Sequence, residues 1–324
     1  MILLVILAVL AAAILIFALH DRQFTAQTEA RYPPQGKFIT VDGVTLHYVE
    51  KGAGEPVILL HGDGGSSYDF TLSPLFDQLA EKYRVLAFDR PGLGYSQRPA
   101  REGWSPRVQA RLIHQAARQL GIRKPVVVGH SRGGAVLFAW ALEYPYHLAG
   151  AVGLAPAAFP GSIPAYRVFS IPILGDLLYY ALVYPLERFG LTNITKQSLE
   201  TAFAPDRPAP PDYVSAYFSL WLRRRHALAA LGDLAYGGEL TAAMAARYHE
   251  ISLPFVVVSG LGDRNVPAEW ARRLEKINPH YKAILIPDTG HELIFNCPEE
   301  VGKAVDLAWE LAALQATTPR REQQ

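Results

Sequence analysis

The chain has 324 residues, half of them hydrophobic and 19% charged, with a formal net charge of +1. Near-neutrality leaves no basic field to gather nucleic acid or another polyanion, and the apolar share suffices for a large core. A single cysteine, Cys297, excludes an internal disulfide.

Met1 to Leu19 is uncharged and apolar throughout. At a rise of about 1.5 Å per residue, a helix of that length just crosses a hydrocarbon core of about 30 Å. A cleaved signal has a basic start, a shorter apolar stretch and a small-residue cleavage site, and this segment lacks that pattern. We therefore expect a retained single-pass anchor over residues 1–20 that meets the cell membrane through residues 1–19. Asp21 and Arg22 nearly cancel, which leaves the side of the membrane open. Residues 21–36, polar and closing with Pro33, Pro34 and Gly36, read as a linker.

Strand–helix alternation then begins and predicts a first core half over 37–156. Phe38–Val41 and Val44–Val49 flank Asp42-Gly43, a strong hairpin signal. Pro56–Leu60 reads as a buried strand that runs into His61-Gly62-Asp63-Gly64-Gly65. Such a glycine-rich loop lets backbone amides approach a ligand closely. After an early strand it is the place where serine hydrolases with strand–turn–helix nucleophiles find an oxyanion donor. The Asp63 amide is the first candidate and Gly64 the second, with the Asp63 carboxylate expected to turn away. Arg84–Phe88 is the next strand. The glycines of Asp89–Ser96 lack dinucleotide spacing, and no Gly-Lys-Ser/Thr phosphate loop exists. Ser105, Pro106 and Gly121 bracket a helix.

Val126-Val127-Val128-Gly129-His130-Ser131-Arg132-Gly133-Gly134 is the most informative stretch. A β-branched run reads as a buried parallel strand, ends in Gly-x-Ser-x-Gly and passes at once into an apolar helix. A turn that sharp strains the central residue and needs small neighbours, and it lifts the Ser131 hydroxyl clear of the backbone. Gly150–Leu154 is another strand. Alternation then stops, and residues 157–250, rich in proline and aromatics, read as a helical cap over the catalytic end of the sheet. Within it Arg223–His226 reads as a solvated helix face, with contact to anionic lipid as the alternative.

A second core half follows over 251–315, with residues 316–324 as a tail. Pro254–Gly260 and Ala283–Ile286 are strands whose carboxyl ends lead to Asp263 and His291. Asp288 and Glu292 lie too close to His291 in the chain to orient it easily. The Ala155–Ala158 segment offers no rival carboxylate, and His280 falls at the opposite end of its strand. No His-Glu-x-x-His or other ligand cluster argues for a metal, and no motif calls for a cofactor. Serine is a weak nucleophile at neutral pH. His291 is expected to take its proton while Asp263 holds the imidazole.

On His61-Gly62, Asp89–Ser96, Gly129–Gly134, Gly262-Asp263 and Gly290-His291, the chain resembles the α/β-hydrolase superfamily, in particular its capped branch, over about Lys37 to Leu314. The resemblance implies a doubly wound, mostly parallel sheet with an inserted helical cap. It also implies Ser131 as nucleophile, Asp263 as acid, His291 as base, and the amides of Asp63 and Arg132 as the oxyanion hole. Epoxide hydrolases and haloalkane dehalogenases of this branch carry aspartate at the elbow, and this chain has serine. An ether on serine has no carbonyl for water to attack, which argues against both activities. The Arg132 side chain is expected to point away from an apolar pocket. The expected activity is cleavage of a small apolar carboxylic ester. Carbon–carbon or perhydrolytic chemistry on the same triad, and a catalytically silent binding homologue, are the alternatives.

Overall fold

The computed structural model describes residues 1–317, apart from the side chains of Leu3, Ile6 and Leu7. Eight strands form one sheet: β1 (Lys37–Val41), β2 (Val44–Lys51), β3 (Pro56–Leu60), β4 (Arg84–Phe88), β5 (Val126–His130), β6 (Gly150–Leu154), β7 (Phe255–Gly260) and β8 (Tyr281–Ile286). Their spatial order is β1-β2-β4-β3-β5-β6-β7-β8. The first two strands join antiparallel, and all pairs from β4 to β8 are parallel. The hairpin between β1 and β2 turns on Asp42 and Gly43, both at positive φ (48° and 73°), as a two-residue primed turn requires.

The inner parallel strands are buried on both faces, which is why they read as unbroken apolar runs rather than alternating ones. One face carries helices Pro106–Gln119 and Arg132–Glu143, whose Trp140, Phe138 and Leu137 join Ile58, Leu86 and Val127 in the core. The other carries helices Pro74–Ala80 and Pro298–Thr317 over Val57, Val85 and Val128. Of the expected tail, Ala316 and Thr317 continue this last helix, and the rest of 316–324 lies outside the described residues.

Between β6 and β7 the chain forms a helical insertion whose principal helices are Ile194–Phe203, Pro211–Trp221 and Arg224–Ala245. Ahead of β1 a single helix runs from Ile2 to Arg31. The linker expected over 21–36 is thus corrected: its first eleven residues are helical, and the chain leaves the helix just before Pro33-Pro34. The two acids in 21–31 have partners in the cap. Asp21 is buried and accepts from the hydroxyls of Tyr179 and Tyr180 (3.3 and 3.2 Å), and Glu29 pairs with Arg223 at 3.0 Å.

At the junction of β5 and helix Arg132–Glu143 the packing leaves no space. A Cβ on Gly129 would lie 2.6 Å from the Gly133 carbonyl oxygen, a backbone atom that cannot swing away. Gly129→Ala is expected to lower stability by about 1–3 kcal/mol through overpacking, read as a fall in the urea midpoint. An unchanged midpoint would contradict this picture of the junction.

Candidate active site

Ser131 occupies a strained backbone conformation, φ 50° and ψ −117°, between β5 and the helix that begins at Arg132. A non-glycine residue at positive φ persists only where surroundings over-determine it. Here the Ser131 amide donates to Leu154 O at 2.9 Å, and its carbonyl accepts from Gly134 and Ala157 (2.9 and 2.8 Å). The turn is therefore pinned to β6.

Ser131, Asp263 and His291 follow β5, β7 and β8, three parallel strands, and so stand at the same end of the sheet. His291 Nδ1 donates to Asp263 Oδ2 at 2.8 Å, with both side chains nearly or fully buried. The other Asp263 oxygen accepts from the amides of Asn265 and Val266 (2.7 and 2.9 Å). Burial pushes the Asp263 carboxyl up, but its hydrogen bond with His291, the imidazolium charge and those amides outweigh it, so its pKa lies below the usual value. Burial likewise opposes charge on His291, yet the Asp263 hydrogen bond and charge, with Glu292 beside them, raise the imidazole above its ordinary value. Next to Ser131 in the chain, His130 sits with its ring centroid 4.9 Å from that of His291, and its Nε2 donates to the His291 carbonyl at 3.0 Å. A Cβ on Gly62 would lie 3.3 Å from Ser131 Cβ, so the loop after β3 abuts the elbow.

The cap holds this end together. Ala202 O, at the end of helix Ile194–Phe203, accepts the His291 amide at 2.9 Å, and Asp206 accepts the Gly290 amide at 2.6 Å. Tyr217 OH donates to Asp63 O at 3.1 Å, and a Cβ on Gly64 (φ +61°) would strike Trp221 at 2.7 Å. His226 accepts the Gly94 amide at Nδ1, so Nε2 carries the proton donated to Gly64 O at 2.8 Å. Burial, with Arg223 beside it, lowers the His226 pKa to about 3 and keeps the ring neutral.

The side chains of Asp63 and Arg132 face one another. Arg132 Nε lies 3.8 Å from Asp63 Oδ1, and neither atom makes a hydrogen bond. Burial beneath the cap raises the Asp63 carboxyl to about 6, against the opposing pull of Arg132. The guanidinium also abuts Gly237 of the cap, where a Cβ would lie 2.2 Å from Arg132 Nη1. The reading of Arg223–His226 as a solvated or lipid-facing run fails at Arg223 and His226, while Arg225 is exposed. Arg223 and His226 are buried, Arg223 Nη2 donates to Gly94 O at 2.6 Å, and Arg224 pairs with Asp176.

Sequence reasoning missed one group altogether. Arg90, fully buried, donates from Nε to His61 O (3.0 Å), from Nη2 to Gly62 O (2.9 Å), and from Nη1 to Gln109 (2.8 Å) and Asp233 (3.0 Å). Asp233, also fully buried, belongs to cap helix Arg224–Ala245 and pairs with Arg98 at 2.8 Å. An acid inside the apolar run Leu228–Tyr236 was the available signal, but nothing local names its partner. Glu292, set aside above as the acid orienting His291, is buried beside it, and burial raises its carboxyl to about 7.

A family model described as alpha/beta hydrolase fold matches residues 55–298. The chain belongs to the α/β-hydrolase fold family. This α/β-hydrolase is 26% identical over 297 residues to the 2-hydroxy-6-oxo-6-(2'-aminophenyl)hexa-2,4-dienoic acid hydrolase of Metapseudomonas resinovorans, a match spanning 87% of this chain and 92% of that one. It is 26% identical over 261 residues to Lipase 1 of Psychrobacter immobilis, spanning 77% and 75%. In fold it is similar to the crystal structure of a membrane phospholipase A, with a TM-score of 0.65 at 19% identity, covering 96% of this chain and 97% of that one.

Removing one member of a buried ion pair leaves the other charge without compensation. Asp233→Ala strands Arg90 in that state and is expected to cost about 3–5 kcal/mol, measured by urea unfolding. Stability within error of the parent would show that the Arg90–Asp233 bond does not hold the cap.

Proposed function

We propose that this α/β-hydrolase is a membrane-anchored serine hydrolase that cleaves an apolar carboxylic ester through Ser131, His291 and Asp263. The observation that carries the reading is the strained turn at Ser131, which raises a hydroxyl at the same sheet end as the His291–Asp263 pair. With Nδ1 committed to Asp263, His291 presents Nε2 as the base. Ser131 Oγ attacks the ester carbonyl carbon as its proton passes to Nε2, and the carbonyl electrons move onto oxygen. The amides of Asp63 and Arg132, with Gly64 as the alternative to Asp63, receive that oxyanion. Collapse of the tetrahedral adduct expels the alcohol, which takes the proton from Nε2. Water, deprotonated by the same nitrogen, then attacks the acyl-Ser131 carbonyl and releases the acid and the free hydroxyl. Aromatic residues of the cap beside this end, Tyr217 and Trp221 among them, suit an apolar substrate.

The anchoring half of the reading rests on the helix Ile2–Arg31, whose stretch Ala8–Arg31 is long and apolar enough to cross a bilayer and is little buried by the rest of the chain. The fold neighbour named as a membrane phospholipase A supports it. Carbon–carbon bond hydrolysis is the second reading, favoured by the relative from M. resinovorans, whose match spans most of both chains. Dehalogenation and epoxide opening are disfavoured because a serine ether offers no carbonyl for the hydrolytic step.

A fluorophosphonate probe is expected to label the protein and to lose labelling in Ser131→Ala. Retained labelling would remove Ser131 as the nucleophile, and no labelling of the parent would favour a silent homologue. Esters of p-nitrophenol with graded acyl length should turn over faster than 2-hydroxy-6-oxo-dienoates, and the reverse ranking selects the second reading. The base acts only when neutral, so kcat/KM should rise with pH through a pKa above about 6.5. Asp263→Asn removes the charge that holds this value up. It should move the acid limb to lower pH and cut kcat by about 10³–10⁴-fold. A limb that stays in place would exclude Asp263 as the residue orienting His291.

A further inference from the structure

The N-terminal helix meets the cap at a fixed depth. Phe17 and Phe189 approach with ring centroids 6.3 Å apart, and His20 lies 5.6 Å from Phe189. His20 Nδ1 shares a hydrogen bond of 2.6 Å with Tyr184 OH, Asp21 receives the hydroxyls of Tyr179 and Tyr180, and Phe24 packs on Tyr184 at 6.2 Å. Nearer the sheet, Glu29 pairs with Arg223, and Tyr32 OH donates to Ser215 Oγ at 2.7 Å. The helix is unbroken from Ile2 to Arg31, so these bonds fix how far its apolar end stands out.

The uncharged apolar stretch of this helix runs past Phe17 to Leu19, which is itself exposed. Lipid that covers the stretch therefore also reaches the cap surface that Phe17 and His20 touch. That surface is apolar. Ile171, Ile173, Leu177, Leu182, Phe189 and Leu191 are all exposed, with Ile173 at 74%. Among the described residues outside the N-terminal helix and segment 163–194, only Phe38, Leu72, Tyr146, Leu261 and Leu314 are large, hydrophobic and exposed, and they are scattered along the chain. Exposed apolar side chains concentrated on one segment mark an interaction surface, whereas apolar residues scattered singly do not. The hydroxyls of Tyr179, Tyr180 and Tyr184 lie at the level of His20 and Asp21, so the polar part of this contact begins where the uncharged stretch of the helix ends.

We infer that cap segment 171–191 is a second membrane contact, seated in the bilayer interface beside the N-terminal helix, and that the ester substrate is one held in the lipid phase. The inference rests on the anchoring reading above and adds a docked face and a substrate source. The partner is the bilayer itself, because the segment that carries the patch packs against the helix read as entering lipid.

Depth-resolved quenching of the full chain in phosphatidylcholine–phosphatidylglycerol vesicles tests it. Cys297 is the chain's one cysteine and is buried, so an introduced thiol takes the fluorophore selectively. Labels at Leu177→Cys and Leu182→Cys are expected to be quenched by lipids spin-labelled near the headgroup, a label at Val9→Cys by lipids labelled deep in the acyl chain, and one at Tyr146→Cys by neither. Quenching at 9 with none at 177 and 182 overturns the docked face while leaving the anchor in place. No quenching at 9 overturns the anchor, and the inference with it. In parallel, the double variant Ile173→Asp, Leu177→Asp should keep hydrolysis of a water-soluble short ester and lose at least about tenfold on a long-chain ester presented in vesicles. Equal losses on both substrates, or on neither, would refute a lipid-phase substrate delivered through this face.

Discussion

A buried guanidinium governs the architecture around the candidate site. Arg90 has no access to solvent, and its five donors must therefore find acceptors within the protein. Four of the five reach the carbonyls of His61 and Gly62, the amide oxygen of Gln109 and the carboxylate of Asp233. These belong to the loop after β3, the helix after β4 and the cap, three parts of the chain far apart in sequence. The backbone amide of the same residue donates to His61 Nε2 at 2.9 Å, which leaves Nδ1 protonated and donating to Gly62 O. A neutral imidazole is required in that position, and burial lowers its pKa well below the ordinary value. The loop that carries Asp63 is thus held from both sides before any substrate arrives.

The insertion is accordingly more than a cover. It supplies the acceptor for the His291 amide, the acceptor for the Gly290 amide and the donor to Asp63 O. A hydrolase core without it would leave the loop bearing His291 with unpaired backbone groups. Such groups cost free energy when buried, so the loop would open to water. Placement of the histidine depends on packing between the two layers as well as on the strand that precedes it.

What the sequence disclosed was what is local. The Asp42-Gly43 hairpin, the Ser131 turn and the strand ends before Asp263 and His291 each follow from a few adjacent residues whose backbone demands are specific. The helix from Ile2 was legible only as far as Leu19, because 21–31 are polar and their cap partners lie far away in the chain. Asp21, for example, meets Tyr179. Arg90 and Asp233 are 143 residues apart, and no periodicity links them. Arg223–His226 was misread for the same reason: a run of cations looks solvated until Glu29, Gly94 and Gly64 are found beside it. Burial of charge is a property of pairs, and pairs at long separation leave no mark on composition.

The contact between the elbow helix and β3 is a spacer of fixed thickness. At Gly133 an added methyl would lie 2.3 Å from Leu60 O and 2.7 Å from His61 O, so nothing but hydrogen separates the helix from the strand end that leads to Asp63. Any thickening there must push the loop away from the Arg132 amide by the same amount. The gap between two peptide groups on different segments is therefore gauged by a side chain that is absent. Drift at position 133 has no conservative option, since even alanine rewrites that gap.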